Sequence, residues 1–134
     1  MSDQHVKTIQ TVYAAFGRGD VAGVLEHMAE DVEFSFNSAK PAFPWHGTFR
    51  GKAALPGFFE ALGTGTRVTA FEPGEAVHSG AHVVVPVRFE HELVANGRRL
   101  VERQLHWWTF APSGKVARLV HFTDTAAVAE AARA

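Results

Sequence analysis

The sequence has no cysteine, which excludes disulfides, thiolate metal sites and a cysteine nucleophile. Nor does it carry a surplus of charge. Thirteen basic and 14 acidic residues leave a formal net charge of -1, so nothing draws the chain to nucleic acid or to an anionic membrane. No apolar run reaches the ~18 residues of a membrane span. The opening MSDQHVKTIQ lacks the apolar stretch of a secretory signal, so the expectation is a soluble cytoplasmic protein. Low-complexity linkers and internal repeats are also missing, and residues 1–134 read as one domain.

Aromatic residues are plentiful, with 11 Phe and 3 Trp, enough for a large aromatic interior and a small cavity. Val6, Ile9, Val12, Tyr13 and Phe16 fall at helical spacing behind Ser2 or Asp3 as cap. GRGD ends that helix on glycine, and Asp20 caps a second one carrying Val21, Val24, Leu25 and Met28. VEFSFN alternates as a half-buried strand, SAKPAFPWHGTFRG reads as an irregular covering loop, and KAALPGFFEAL as a short helix weakened by Pro56-Gly57. From Arg67 on, turn signals at Ser79-Gly80, Asn96-Gly97 and Pro112–Gly114 divide the chain into four antiparallel strands. Asp124 is placed to cap a last Ala-rich helix. This order gives an α+β domain.

Register decides which side chains are neighbours. A two-residue Asn96-Gly97 turn sets His106 opposite Val87, Gln104 opposite Phe89 and Trp108 opposite Val85. Pairing Phe110 with Lys115 makes His106 and His121 diagonal neighbours. One face then holds Val83, Val85, Val87, Phe89, Trp108 and Leu119 with three polar groups, Gln104, His106 and His121. An apolar wall with a few convergent polar groups describes a small-molecule site. The other face carries Pro86, Arg88, Glu90, Arg103, Leu105, Trp107, Arg118, Val120 and Phe122, a mixture suited to a homodimer interface. Pro73-Gly74 could form a bulge that swaps the faces of its strand, and Pro86 inside a strand costs a ladder hydrogen bond.

Imidazole titrates near neutral pH, so His106 and His121 are candidates for acid/base work, with Gln104 and Tyr13 polarising an oxygen. Packing alone would make the two histidines bonded core residues and Tyr13 part of a helical stripe. Phe34, Phe36, Trp45, Phe58, Val85, Val87, Phe89, Trp108 and Leu119 are expected as substrate wall, with His46 at the cavity mouth. His91 and Glu102 read as a plain ion pair at the outer end of the same face. His46, His106 and His121 could in principle hold zinc, but no HxH or HExxH spacing supports it, so neither metal nor cofactor is expected.

YAAFGRGD, EDVEF, WHGTFRGKAALPGFFEAL and GKVARLVHFTDT together resemble the SnoaL-like branch of the nuclear-transport-factor-2-like superfamily, over nearly the whole chain. The resemblance implies a cystatin-like cone, with three N-terminal helices packed on a curved mixed/antiparallel sheet enclosing a cavity, and a homodimer. Against ketosteroid isomerase, the general-base aspartate falls on Phe36, the oxyanion-hole tyrosine on Val12 beside Tyr13, and the oxyanion-hole acid on His106. Against limonene epoxide hydrolase, two aspartates and an arginine correspond to His106, His121 and Gln104. Both family mechanisms therefore lose their carboxylates. What remains is cofactor-independent isomerase, cyclase or hydrolase chemistry on a small apolar carbonyl or epoxide compound. The alternatives are a binding module for such a compound, or a dimer whose cavity its own side chains fill.

Overall fold

A computed structural model describes residues 2–38 and 40–133; the Ser2 side chain, one of the expected caps, lies outside the described residues. Helix α1 (Ser2–Gly17) buries Ile9, Val12 and Ala15. The chain reverses at Gly19, whose φ of 73° favours glycine. Asp20 then accepts from the Gly23 amide at 2.9 Å and starts α2 (Val21–Leu25). In β1 (Met28–Phe36), Val32 and Phe34 are buried while Asp31 is exposed. Phe43 is extended, as a residue before proline must be, and leads into a 3-10 turn at Pro44–His46. After the short β2 (Phe49–Arg50) and a 3-10 turn at Lys52–Ala54 comes α3 (Leu55–Gly65). Pro56 occupies its first turn, where the missing N–H costs nothing, so it starts the helix rather than weakening it.

The sheet continues with β3 (Thr66–Pro73), β4 (Val77–Ser79), β5 (His82–Leu93), β6 (Arg99–Phe110) and β7 (Val116–Phe122), and α4 (Thr125–Ala132) follows. Asp124 caps α4 by accepting from the Ala127 amide at 3.0 Å. Strand order is β2-β1-β7-β6-β5-β3, with β4 also on β5. All pairs are antiparallel except β1 with β7, which is parallel.

The region expected as one strand before His82 is two, β3 and β4, because the chain leaves the ladder at Gly74–Ala76. That break accounts for Pro86. A residue in an antiparallel strand aims its N–H and C=O at the same neighbour. The Pro86 carbonyl accepts from the Gly74 amide at 2.7 Å, so the N–H it lacks would have pointed into the gap.

Two registers differ from expectation. In β5–β6 the pairs are Val83 with Trp108, Val85 with His106 and Val87 with Gln104, a shift of two residues. Asn96-Gly97 is no two-residue turn: the Gly97 amide reaches the Leu93 carbonyl, and the Asn96 side chain donates to the Ala131 carbonyl of α4 at 2.9 Å. Asn96 thereby ties this longer loop to α4. In β6–β7, Phe110 pairs with Val116 and a bulge follows between Thr109 and Phe110. His106 consequently lies directly opposite His121 rather than diagonal to it. Neither slip changes the face, since both amount to two residues.

Candidate functional site

The inner sheet face, α1, α2 and α3 line a partly open pocket whose interior space is about 60 Å³. A single water needs at least roughly 10–15 Å³, so the inner space takes a few waters or the polar end of a ligand whose remainder extends toward the opening. Phe34, Phe36, Trp45, Phe58, Phe89, Trp108 and Leu119 line it as expected, and so do Tyr13, Gln104, His106 and His121. Val85 and Val87 are buried but off the wall. His46 is also off the wall: it stacks behind Phe36 with ring centroids 4.1 Å apart, so it does not close a mouth. Sequence reading missed Phe16, Phe59 and Phe71, which complete the aromatic lining from α1, α3 and β3.

Tyr13 is the link between helix and sheet. Its Oη accepts from Trp108 Nε1 at 3.0 Å and lies 2.8 Å from His106 Nδ1. His106 Nε2 lies 2.8 Å from Gln104 Oε1, and Gln104 Nε2 donates to Glu102 Oε1 at 2.9 Å. Thr123 Oγ1 donates to the same Glu102 oxygen at 2.7 Å, and His91 Nε2 lies 2.6 Å from Glu102 Oε2. His91 Nδ1 lies 2.7 Å from Thr66 Oγ1, which donates onward to the Glu92 carbonyl at 2.8 Å. Glu102 and His91 are buried, and beyond the plain ion pair expected of them they anchor the polar network. The sequence signal was present, since Glu102, Gln104 and His106 alternate on one strand face. Its depth was not, because one of its partners, Thr123, lies just past the end of β7, far along the chain.

Protonation follows from the partners. Burial would push the Glu102 carboxyl up, but hydrogen bonds from His91, Gln104 and Thr123 outweigh it and hold the group below its ordinary value. An ionised carboxylate only accepts, so Gln104 must turn its NH2 toward Glu102 and its oxygen toward His106. His106 Nε2 therefore carries the hydrogen. Burial, then the neighbouring His121, push His106 well below its ordinary pKa, so Nδ1 is an unprotonated acceptor for the Tyr13 hydroxyl. Burial raises the Tyr13 phenol, so it stays neutral.

His121 sits across from His106 with ring centroids 4.8 Å apart and stacks on Phe36 at 4.1 Å. Its Nδ1 donates to the Ser35 carbonyl at 3.0 Å. Burial lowers it to about 4 despite that bond, so the ring is neutral and Nε2 presents a lone pair with no hydrogen-bond partner among the described residues. His46 is likewise lowered to about 4 by burial, and neither of its ring nitrogens has a partner among the described residues. Among the described residues no group of three His, Cys, Asp or Glu side chains is placed to hold a metal ion, and no helix is long and apolar enough to cross a membrane.

The SnoaL-like domain family model matches residues 9–119. No curated protein matches the chain. Among solved structures, a nuclear-transport-factor-2-like protein of Burkholderia xenovorans is 28% identical with a TM-score of 0.88, covering 99% of this chain and 98% of its own. A nuclear-transport-factor-2-like protein of unknown function from Burkholderia pseudomallei is 27% identical over all of both chains, with a TM-score of 0.85. TerC, co-crystallised with polyporic acid, is 28% identical with a TM-score of 0.80, covering 98% of this chain and 99% of its own.

Proposed function

The chain belongs to the SnoaL-like domain family, and from that premise we propose that it is a cofactor-independent acid/base catalyst acting on a small, largely apolar, oxygen-bearing compound. The observation that carries the reading is the contact between Tyr13 Oη and His106 Nδ1 on the wall of an aromatic cavity, with the unpartnered His121 Nε2 beside it. A proton entering at Tyr13 passes to His106 as the phenol hands on its own. The imidazolium so formed is held by Gln104 and, through it, by the Glu102 carboxylate. An amide does not conduct protons readily, so the charge stops at His106. His121 supplies a second base on the opposite strand. The co-crystal of TerC with polyporic acid supports a small-molecule ligand for a relative of this kind.

A thermal-shift screen of small ring ketones, epoxides and phenols supplies the substrate. On it, His106→Phe and His121→Leu each lower kcat/KM by about 10²–10⁴. Unchanged turnover in both folded variants ends the reading. A non-catalytic binding module is the second reading, favoured by one observation: the lone pair of His106 Nδ1 is already taken by Tyr13.

We also propose a homodimer through the outer sheet face, where Leu105, Trp107 and Phe122 are 47%, 42% and 38% exposed beside the half-buried Val120. Sedimentation of a Leu105→Glu/Trp107→Glu variant as a monomer, against a dimeric parent, is the expected outcome.

A further inference from the structure

The hydrogens of the cavity wall can be counted, and the count says which ligand the wall takes. The single Tyr13 hydrogen goes to His106 Nδ1, because the Glu102–Gln104–His106 chain leaves that nitrogen as acceptor. The Tyr13 oxygen takes the Trp108 N–H, and its acceptor capacity is not exhausted by it. The one His121 hydrogen goes to the Ser35 carbonyl, so Nε2 shows only a lone pair. His106 spends its own N–H on Gln104. Tyr13, His106, His121 and Trp108 therefore have no hydrogen left for a ligand, while Tyr13 and His121 can each accept one. The second amide hydrogen of Gln104 is the only spare donor of the polar group, and it lies on the nitrogen turned toward Glu102.

We infer that the cavity selects a ligand that donates a hydrogen bond, an enolic or phenolic hydroxyl on a small aromatic or conjugated ring, over an isosteric carbonyl or ether that can only accept. This rests on the proposed cavity function and narrows its substrate class. The hydroxyl hydrogen goes to His121 Nε2 or to Tyr13 Oη, and the hydroxyl oxygen remains able to accept from Gln104. The aromatic wall of Phe34, Phe58, Phe71 and Trp108 takes the ring. An oxyanion hole would need the opposite arrangement, with donors aimed at the oxygen.

The test is calorimetric titration of the full chain at neutral pH with phenol, anisole and benzaldehyde. Phenol is expected to bind at least about tenfold tighter than either of the others, one hydrogen bond's worth of affinity. In His121→Leu this preference shrinks, and because Tyr13→Phe alone would expose the His106 Nδ1 lone pair, it disappears only in Tyr13→Phe/His106→Phe/His121→Leu, where all three acceptors are gone. Benzaldehyde or anisole binding as tightly as phenol to the unmodified protein overturns the inference and leaves the cavity reading standing. A phenol preference that persists in a folded triple variant also overturns it. Failure of all three probes to bind removes the cavity reading as well. The ranking on the unmodified chain needs no variant to fold.

Discussion

His106 and His121 face each other directly across β6 and β7, with ring centroids 4.8 Å apart and planes at 75°. Both are neutral because burial depresses both, and His121 together with the buried His46 has its folded value near 4. Unfolded imidazoles titrate near 6.5, so between these values the unfolded chain binds more protons and stability rises with pH. Urea denaturation from pH 7 down to pH 4 should therefore show a progressive loss, about 3 kcal/mol for each of the two rings. His121→Leu/His46→Phe should flatten that slope. In a rate assay the acid limb should likewise fall near pH 4 rather than 6.5.

Glu102 tests the polar chain without touching the cavity. Glu102→Gln presents one oxygen where the carboxylate presented two, and strands at least one of its buried donors at about 1–3 kcal/mol. It also frees Gln104 to reverse its amide, which moves the His106 hydrogen from Nε2 to Nδ1. Long-range ¹⁵N spectra of the histidines should report that change of tautomer. An unaltered His106 signature in the folded variant would mean the ring is oriented by Tyr13 alone.

His46→Phe should stabilise the protein. The imidazole is 3% exposed, neither nitrogen has a partner among the described residues, and the ring already lies flat against Phe36 and edge-on to Phe43. Replacing it with phenylalanine keeps the stack and removes the unmet desolvation cost, a gain of about 1–3 kcal/mol readable in a urea midpoint.

Gly65→Ala should do the reverse. A Cβ there would lie 2.3 Å from Cζ3 of Trp45, itself 3% exposed, so the indole must leave the cavity wall or α3 must shift. A loss of about 1–3 kcal/mol is expected, with a change in tryptophan fluorescence.

The convergence of Gln104, His106 and His121 was legible before any coordinates because strand parity survives a two-residue slip. The exact neighbours were not, since the turn geometry at Asn96 depends on α4, an element far along the chain. Tyr13 illustrates a second limit. Helical spacing places it with Val12 and Phe16 on one apolar stripe, but which of the three reaches His106 depends on how α1 lies across β5. Glu102 shows the third. Paired with His91 at the outer end of the inner face it reads as a plain ion pair, and its bonds to Gln104 and to Thr123 beyond β7 are what a local pattern does not encode. The motif-level resemblance located the cone correctly; the hydrogen-bond direction inside it came from partners no local pattern encodes.

The parallel pairing of β1 with β7 sets the timing of assembly. Phe36 near the start of the chain meets His121 near its end, so the segment between them forms one very long loop whose closure entropy is met before the contact gives anything back. The wall that holds both histidines is thus completed by a highly non-local event in folding, and an intermediate lacking a docked last strand would have hairpins and helices but no binding chamber.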